Sequence, residues 1–387
     1  GTWEIYSEPN FGEHLSPQSS GGVTAPGMYR GMLAAAWSAL HASGHGHDTV
    51  VFGATSAHGE PRLSGSLGIV GETQPLTFLR ELYCVDTSYH QLRGGTAKQF
   101  GCPTTSSAGR SFKRRNPALF SATAFSDHPY PLGSDETLPP TQTRYHGPNY
   151  ATFSQLPNLI NALNRSVKAW GSGKKFAIWS TEYGYISNPP RGGGVTLANQ
   201  AYYLNWAEYL SWKNPQIGSF MNFLLIDPDP TQGVVACGGF ASGLIFSPAL
   251  TTAPCAGGQI GGMPKPALSA WRLPLFMPST SGRKGKNLEV WGCVRPGPNA
   301  FHDTHKASTA QLQFSSNQGV TWSTVATVRA NSNCYFDLHQ KFPSSGMVRL
   351  AYTYPATDRG LLPSYGQGTY FNPLTPSVSR SISITLR

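Results

Sequence analysis

Over its first 280 residues the chain alternates short apolar runs with longer stretches of helical period, and this alternation constrains the fold most strongly. Residues 3–7, 49–54, 122–127, 175–181 and 219–226 read as strands. Several are apolar on both faces, as parallel strands covered on both sides must be. Residues 26–43, 75–85, 149–170 and 197–213 carry helical patterns, and 267–271 read as a final helix. Strand followed by helix, repeated, predicts an α/β fold with a parallel sheet. Long Gly-, Pro- and Ser-containing loops follow the strand ends at 57–73, 129–148, 185–196 and 227–264. In such folds, function sits on loops at the carboxyl ends of the strands.

The pattern changes near residue 287. Segments 288–294, 310–314, 321–329, 334–338, 347–353 and 379–386 alternate polar with apolar residues. Turn signals such as Asn317-Gln318-Gly319 separate them. This spacing predicts an all-β sandwich over 287–387, joined to the α/β part, 1–280, by a linker rich in Pro, Ser, Gly and Lys.

Hydrophobic residues are 39% of the chain and aromatics 12%, which supports a large core and excludes a disordered chain. No apolar run is long enough for a membrane-spanning helix. The net charge is +10, yet only 12% of residues are charged. The densest basic cluster, Lys113-Arg114-Arg115, lacks the long stripe with interleaved aromatics of a nucleic-acid binder, so it reads as solvated loop charge. Cys84, Cys102, Cys237, Cys255, Cys293 and Cys334 fall into three sequence-neighbouring pairs without metal or redox spacing. Disulfides are expected, each contributing about 3 kcal/mol by loop closure, and with them a secreted, extracellular location.

Two glutamates carry the chemistry. Trp3-Glu4-Ile5-Tyr6-Ser7-Glu8-Pro9-Asn10 ends a strand on a carboxylate held before proline, where an extended backbone is expected. Phe176-Ala177-Ile178-Trp179-Ser180-Thr181-Glu182-Tyr183-Gly184-Tyr185 ends a second apolar strand the same way. Two carboxylates at the carboxyl ends of different strands can face each other across one sheet mouth. Glycoside hydrolysis needs such a pair, one protonated toward the leaving oxygen and one ionised toward the anomeric carbon. A retaining enzyme would hold them about 5–5.5 Å apart.

These segments resemble the catalytic motifs of TIM-barrel retaining glycoside hydrolases with glutamates after strands 4 and 7, especially cellulase-like families and family 39. The first motif of those families reads W-x-I-W-N-E-P-N, matched here at Trp3, Ile5, Glu8, Pro9 and Asn10, with Tyr6 at a Trp position. The resemblance implies a (β/α)8 barrel with Glu8 as acid/base and Glu182 as nucleophile. It implies a poly- or oligosaccharide substrate and no cofactor. His128 and Tyr130, in Ala124-Phe125-Ser126-Asp127-His128-Pro129-Tyr130, stand where such barrels place a residue lining the site. Asn10, Ser7, Trp179 and Tyr185 complete the expected substrate contacts.

Two features depart from that pattern. Ser7 replaces an asparagine that binds a sugar hydroxyl. The chain also opens on strand 4, and five strands cannot close an eight-stranded barrel. Strands 1–3 are therefore expected to be absent, or to lie in a preceding segment or a second polypeptide. A non-catalytic glycan-binding protein on the same scaffold and a transglycosylase remain alternatives. No Ser-His-Asp elbow or phosphate-cradling loop is present. His41, His45 and His47 read as a helix end, so no metal is expected.

Overall fold

The computed structural model describes residues 1–18, 24–60, 71–229, 239–250, 261–295, 306–354 and 376–387. These divide into two compact units, Gly1–Tyr183 with Ser211–Phe223 and Gly184–Leu210 with Leu224–Arg387.

The first unit is built on a parallel half-barrel sheet. Its strands β1 (Thr2–Glu4), β2 (Thr49–Ser56), β3 (Ala124–His128), β4 (Ala177–Tyr183) and β5 (Ile217–Asn222) pair in chain order. Helices α1 (Ala25–Ala42), α2 (Pro75–Leu82) and α3 (Leu156–Lys168) follow β1, β2 and β3, and α4 (Leu197–Lys213), whose residues up to Leu210 belong to the second unit, precedes β5 in the chain. In α1, α2 and α3 a proline occupies the first turn, where its missing N–H costs no helical bond. The central strands are buried on both faces, as their continuous apolar runs predict. Phe52 meets Phe125 and Phe176 edge-on, each at 5.3 Å between ring centres. The outer strands are more open, with Trp3 42% and Met221 39% exposed.

The first strand is shorter than its sequence suggests. Pairing with β2 stops at Glu4, and Tyr6 and Glu8 take φ values of 71° and 46°. The extended backbone expected at Glu8 is thus corrected to a left-handed one. The cause is a buried tyrosine. Tyr29 of α1 donates its hydroxyl to Ile5 O at 2.8 Å and accepts the Gly53 N–H at 2.8 Å. Both groups are withdrawn from strand pairing, and β2 changes register between Phe52 and Thr55. Gly53 there has φ 106°, and a Cβ on it would lie 2.7 Å from the Phe125 ring and from Ser126 O. The turned Ala54 carbonyl then accepts the Glu8 N–H at 2.8 Å. A tyrosine, a glycine and a strand irregularity thereby set the backbone of Glu8.

The second unit is rich in β-structure. Strands β6 (Leu275–Phe276), β8 (Asn287–Cys293) and β11 (Tyr335–Lys341) form one sheet, in the order β11-β8-β6. A second sheet runs β10-β9-β12-β14-β7, from Ser323–Arg329, Thr309–Ser315, Gly346–Thr353, Ile382–Leu386 and Ser281–Gly282, with β13 (Pro376–Val378) beside β12. Leu288 and Val290 of the first sheet share one cluster with Leu312, Phe314, Val348, Leu350, Ile382 and Ile384 of the second. Alternating burial along these strands follows from a sheet with one face on a core. Ahead of helix α5 (Pro266–Arg272), buried Lys265 donates to Asp227 at 2.7 Å, Ser187 Oγ at 2.9 Å and Ala241 O at 3.2 Å. All three ammonium protons are thus used, and Asp227 serves a buried ion pair. Cys84 is bonded to Cys102, and Cys293 to Cys334. The expected partners Cys237 and Cys255 lie outside the described residues.

Replacing Tyr29 by phenylalanine leaves the Gly53 N–H and the Ile5 carbonyl unpaired in a buried place. Urea denaturation of Tyr29→Phe is expected to show a loss of about 1–3 kcal/mol. An unchanged midpoint would mean that the hydroxyl does not hold the two strands.

Candidate active site

Glu8, His128 and Glu182 come from the ends of β1, β3 and β4 and converge. One oxygen of each carboxylate and one ring nitrogen of His128 lie within 4.8 Å of one another. His128 Nδ1 is 3.1 Å from Glu8 Oε1 and 3.7 Å from Glu182 Oε2. Its side chain is 2% exposed, against 19% for Glu8 and 28% for Glu182. An imidazole therefore lies behind two carboxylates that face the opening. Tyr130 donates its hydroxyl to Glu182 Oε2 at 3.0 Å. On the outer side, Nδ1 of the exposed His14 is 3.5 Å from Glu8 Oε2.

Consecutive residues of a strand normally point to opposite faces. Thr181 and Glu182 nevertheless both reach this cluster, because the pairing of β4 with β5 shifts between Ser180 and Tyr183. Such irregularities re-aim side chains at strand ends. Thr181 Oγ1 is 3.2 Å from His128 Nε2 and 2.5 Å from Ser126 Oγ, and it donates to Glu4 Oε1 at 3.0 Å.

Burial pushes the Glu182 carboxyl above the ordinary range, although His128 and the Tyr130 hydroxyl pull against it. Burial pushes His128 down, but its hydrogen bond to Glu8 and the charges of Glu182, Glu8 and Glu4 outweigh that and leave it raised. Tyr130 is raised by burial and by the facing Glu182, so its hydroxyl stays a donor. Beyond Glu8, the half-buried Glu72 carboxyl is also raised, chiefly by loss of solvent, and accepts a hydrogen bond from Ser56.

The other expected contacts divide. Asn10 is fully buried, and its amide is spent on scaffolding. Its Nδ2 donates to Ser56 O at 3.1 Å and Thr73 O at 2.9 Å, and its Oδ1 accepts the Ser56 N–H at 2.9 Å. Ser7 is exposed in the turn before Glu8. Trp179 is half-buried against β5, where a Cβ on Gly218 would meet its indole nitrogen at 3.1 Å. Tyr185 belongs to the second unit and is wholly buried there, its ring 5.1 Å from that of Tyr203. His41 and His45 turn their Nδ1 atoms to Trp37 O and Asp48 rather than to each other. Sequence reading missed Glu4, Thr181, Ser126 and His14. Glu4 and Thr181 lie inside the two motifs that drew attention to Glu8 and Glu182, and that position was their only signal.

No protein-family model matches the chain, and no curated protein matches its sequence. Among solved structures, a family 44 xyloglucanase of Paenibacillus polymyxa is similar at 12% identity and TM-score 0.35, covering 88% of this chain and 64% of that one. The family 51 α-L-arabinofuranosidase AbfB of Bifidobacterium longum is similar at 11% identity and TM-score 0.33, covering 88% and 65%. A superoxide reductase (neelaredoxin) from Ignicoccus hospitalis is similar at 11% identity and TM-score 0.20, covering 37% and 95%. The chain spans less than two thirds of the length of either glycoside hydrolase. With these TM-scores below 0.5, the likenesses carry no weight for activity.

Asp127, on the same strand as His128, is fully buried with Oδ1 bonded to Thr55 at 2.7 Å and Oδ2 unpartnered. Burial pushes its pKa up to about 7. The folded state therefore holds a proton that the unfolded chain releases near the ordinary aspartate value. The stability contributed is complete below that value and is lost as pH rises to about 7. Thermal melts of Asp127→Asn across this window are expected to be flatter than those of the parent chain, with the variant relatively more stable above neutrality. Parallel curves would show that Asp127 is ionised throughout.

Proposed function

We propose that this chain carries the catalytic pair of a secreted retaining glycoside hydrolase acting on a poly- or oligosaccharide. The observation that supports this most directly is the approach of one carboxylate oxygen of Glu8 and one of Glu182, from two different strands, to within 4.8 Å. Retention requires about 5–5.5 Å between the carboxyl groups, whereas inversion requires about 6.5–9.5 Å to admit a water. In this reading the Glu182 carboxylate attacks the anomeric carbon as the glycosidic bond breaks. Glu8 gives its proton to the departing oxygen. A glycosyl-enzyme ester on Glu182 results. Glu8, now ionised, takes a proton from water, the hydroxide oxygen bonds to the anomeric carbon, and Glu182 leaves.

The surroundings suit these roles. Tyr130 donates its hydroxyl to Oε2 of Glu182, which stabilises the ionised form in a half-buried place that otherwise opposes it. Trp179 and the exposed Tyr6 offer aromatic faces for sugar rings. The two disulfides fit an oxidising, extracellular compartment. The barrel reading has the outer edges of β1 and β5 closed by further strands, from this polypeptide or another. The chemistry itself calls for no cofactor.

Trapping with 2-deoxy-2-fluoro glycosides tests the reading, because the fluorine slows release of the ester. Peptide mass spectrometry is expected to place the label on residues 176–191, at Glu182. Glu8→Gln is expected to lower kcat by about 10²–10⁴ for substrates with poor leaving groups, and much less for activated aryl glycosides. Inverted product configuration by NMR would overturn the mechanism.

Ionisation of Glu182 also sets a pH dependence. Its raised pKa places the acidic limb of kcat/KM above the ordinary glutamate range, about 4.3. A limb at or below that value would remove Glu182 as the nucleophile.

A further inference from the structure

The hydroxyl of Thr181 has one proton to give and two lone pairs to share. It gives the proton to Glu4, since an ionised carboxylate can only accept. The two remaining neighbours, Ser126 Oγ at 2.5 Å and His128 Nε2 at 3.2 Å, must then both donate to it. His128 therefore carries a hydrogen on Nε2, and its Nδ1, 3.1 Å from Glu8, is left to accept a proton or share one.

We propose that Glu4, acting through Thr181, is a positioning residue that fixes His128 as the Nε2–H tautomer, so that His128 Nδ1 and Glu8 share a single exchangeable proton. This rests on the glycosidase reading for its catalytic meaning but not for its geometry. When Glu8 is protonated, its O–H donates to Nδ1 of a neutral imidazole. When Glu8 is ionised, the proton sits on Nδ1, and the imidazolium faces both Glu8 and Glu182. The proton only changes seat, and no other reactant is needed. The proton for the leaving oxygen thus has a protected reserve 3.1 Å behind the carboxyl that delivers it. In the opposite tautomer Nδ1–H would point permanently at Glu8, and Glu8 could not hand it a proton.

Among the described residues, the charged and titratable groups facing His128 are Glu8 of the first loop, Glu182 of β4 and, across Thr181, Glu4 of β1. Asp127 precedes it on β3, and Tyr130 follows it with ring centres 6.4 Å apart. Among these, the Glu4–Thr181 pair alone addresses Nε2, whereas Glu8 and Glu182 both lie on the Nδ1 side. Glu4 is exposed, so its replacement tests the relay without opening a core.

The test compares Thr181→Val, Thr181→Ser and Glu4→Gln with the parent chain by long-range ¹⁵N–¹H NMR of the histidines, His128 being assigned by its loss in His128→Gln. In the parent chain, neutral His128 is expected to show a protonated Nε2 and an unprotonated Nδ1. Thr181→Val is expected to convert it to a mixture or to the Nδ1–H form, Thr181→Ser to restore the parent spectrum, and Glu4→Gln to fall between. With an aryl glycoside that the parent chain hydrolyses, Thr181→Val is expected to lower kcat about tenfold and displace the basic limb of the pH profile, leaving KM nearly unchanged. An Nδ1–H tautomer in the parent chain, or a Thr181→Val spectrum identical to it, overturns the inference. Failure to hydrolyse any glycoside overturns the functional reading instead, and the spectra still decide the positioning.

Discussion

Two carboxylates held within 4.8 Å of each other repel, and the first unit brings them that close with a buried imidazole behind both. His128 is the member of the cluster almost without solvent, so its charge is screened least where the two glutamates need it. Its own burial opposes that charge, and three carboxylates overcome the opposition. The arrangement is therefore mutual. Removing either glutamate weakens the case for a charged imidazole, and removing the imidazole leaves the glutamates to repel in a half-buried place. The sheet must hold β1, β3 and β4 in one register for this balance to exist at all.

Much of that sheet was legible in the sequence because fully buried parallel strands leave a plain mark, an apolar run with no alternation. The strands at 49–56, 124–128 and 177–183 lie within a few residues of their expected positions, and α4 occupies Leu197–Lys213 as its periodicity suggests. The end of the first strand was not legible. Its shape depends on a hydroxyl from Tyr29, distant in sequence, and a proline after Glu8 argued for the wrong backbone. A residue's preference before proline is local, and a buried hydrogen bond network overrules it.

The site shows the same division. Glu8 and Glu182 stood out because a carboxylate closing an apolar run is chemically conspicuous. Asn10 stood in the same motif, yet its amide is consumed by Ser56 and Thr73, two backbone partners far along the chain. Tyr185 stood beside Glu182, yet it is core to the second unit. Thr181 looked like an ordinary strand residue facing away from its neighbour, and only the irregular pairing of β4 turns both inward. Sequence shows which residue types are near a strand end. Which of them point at one another depends on pairing irregularities that no composition reveals.

That irregularity at the end of β4 has a mechanical side. Thr181, which contacts the back of the imidazole, and Glu182, which lies on its front, are separated by one planar peptide group. The two ends of the cluster are thus mounted on a single rigid plate. A shift of that plate, as when a ligand settles against Glu182, carries the Cα atoms of both residues together and so bears on both sides of the imidazole at once.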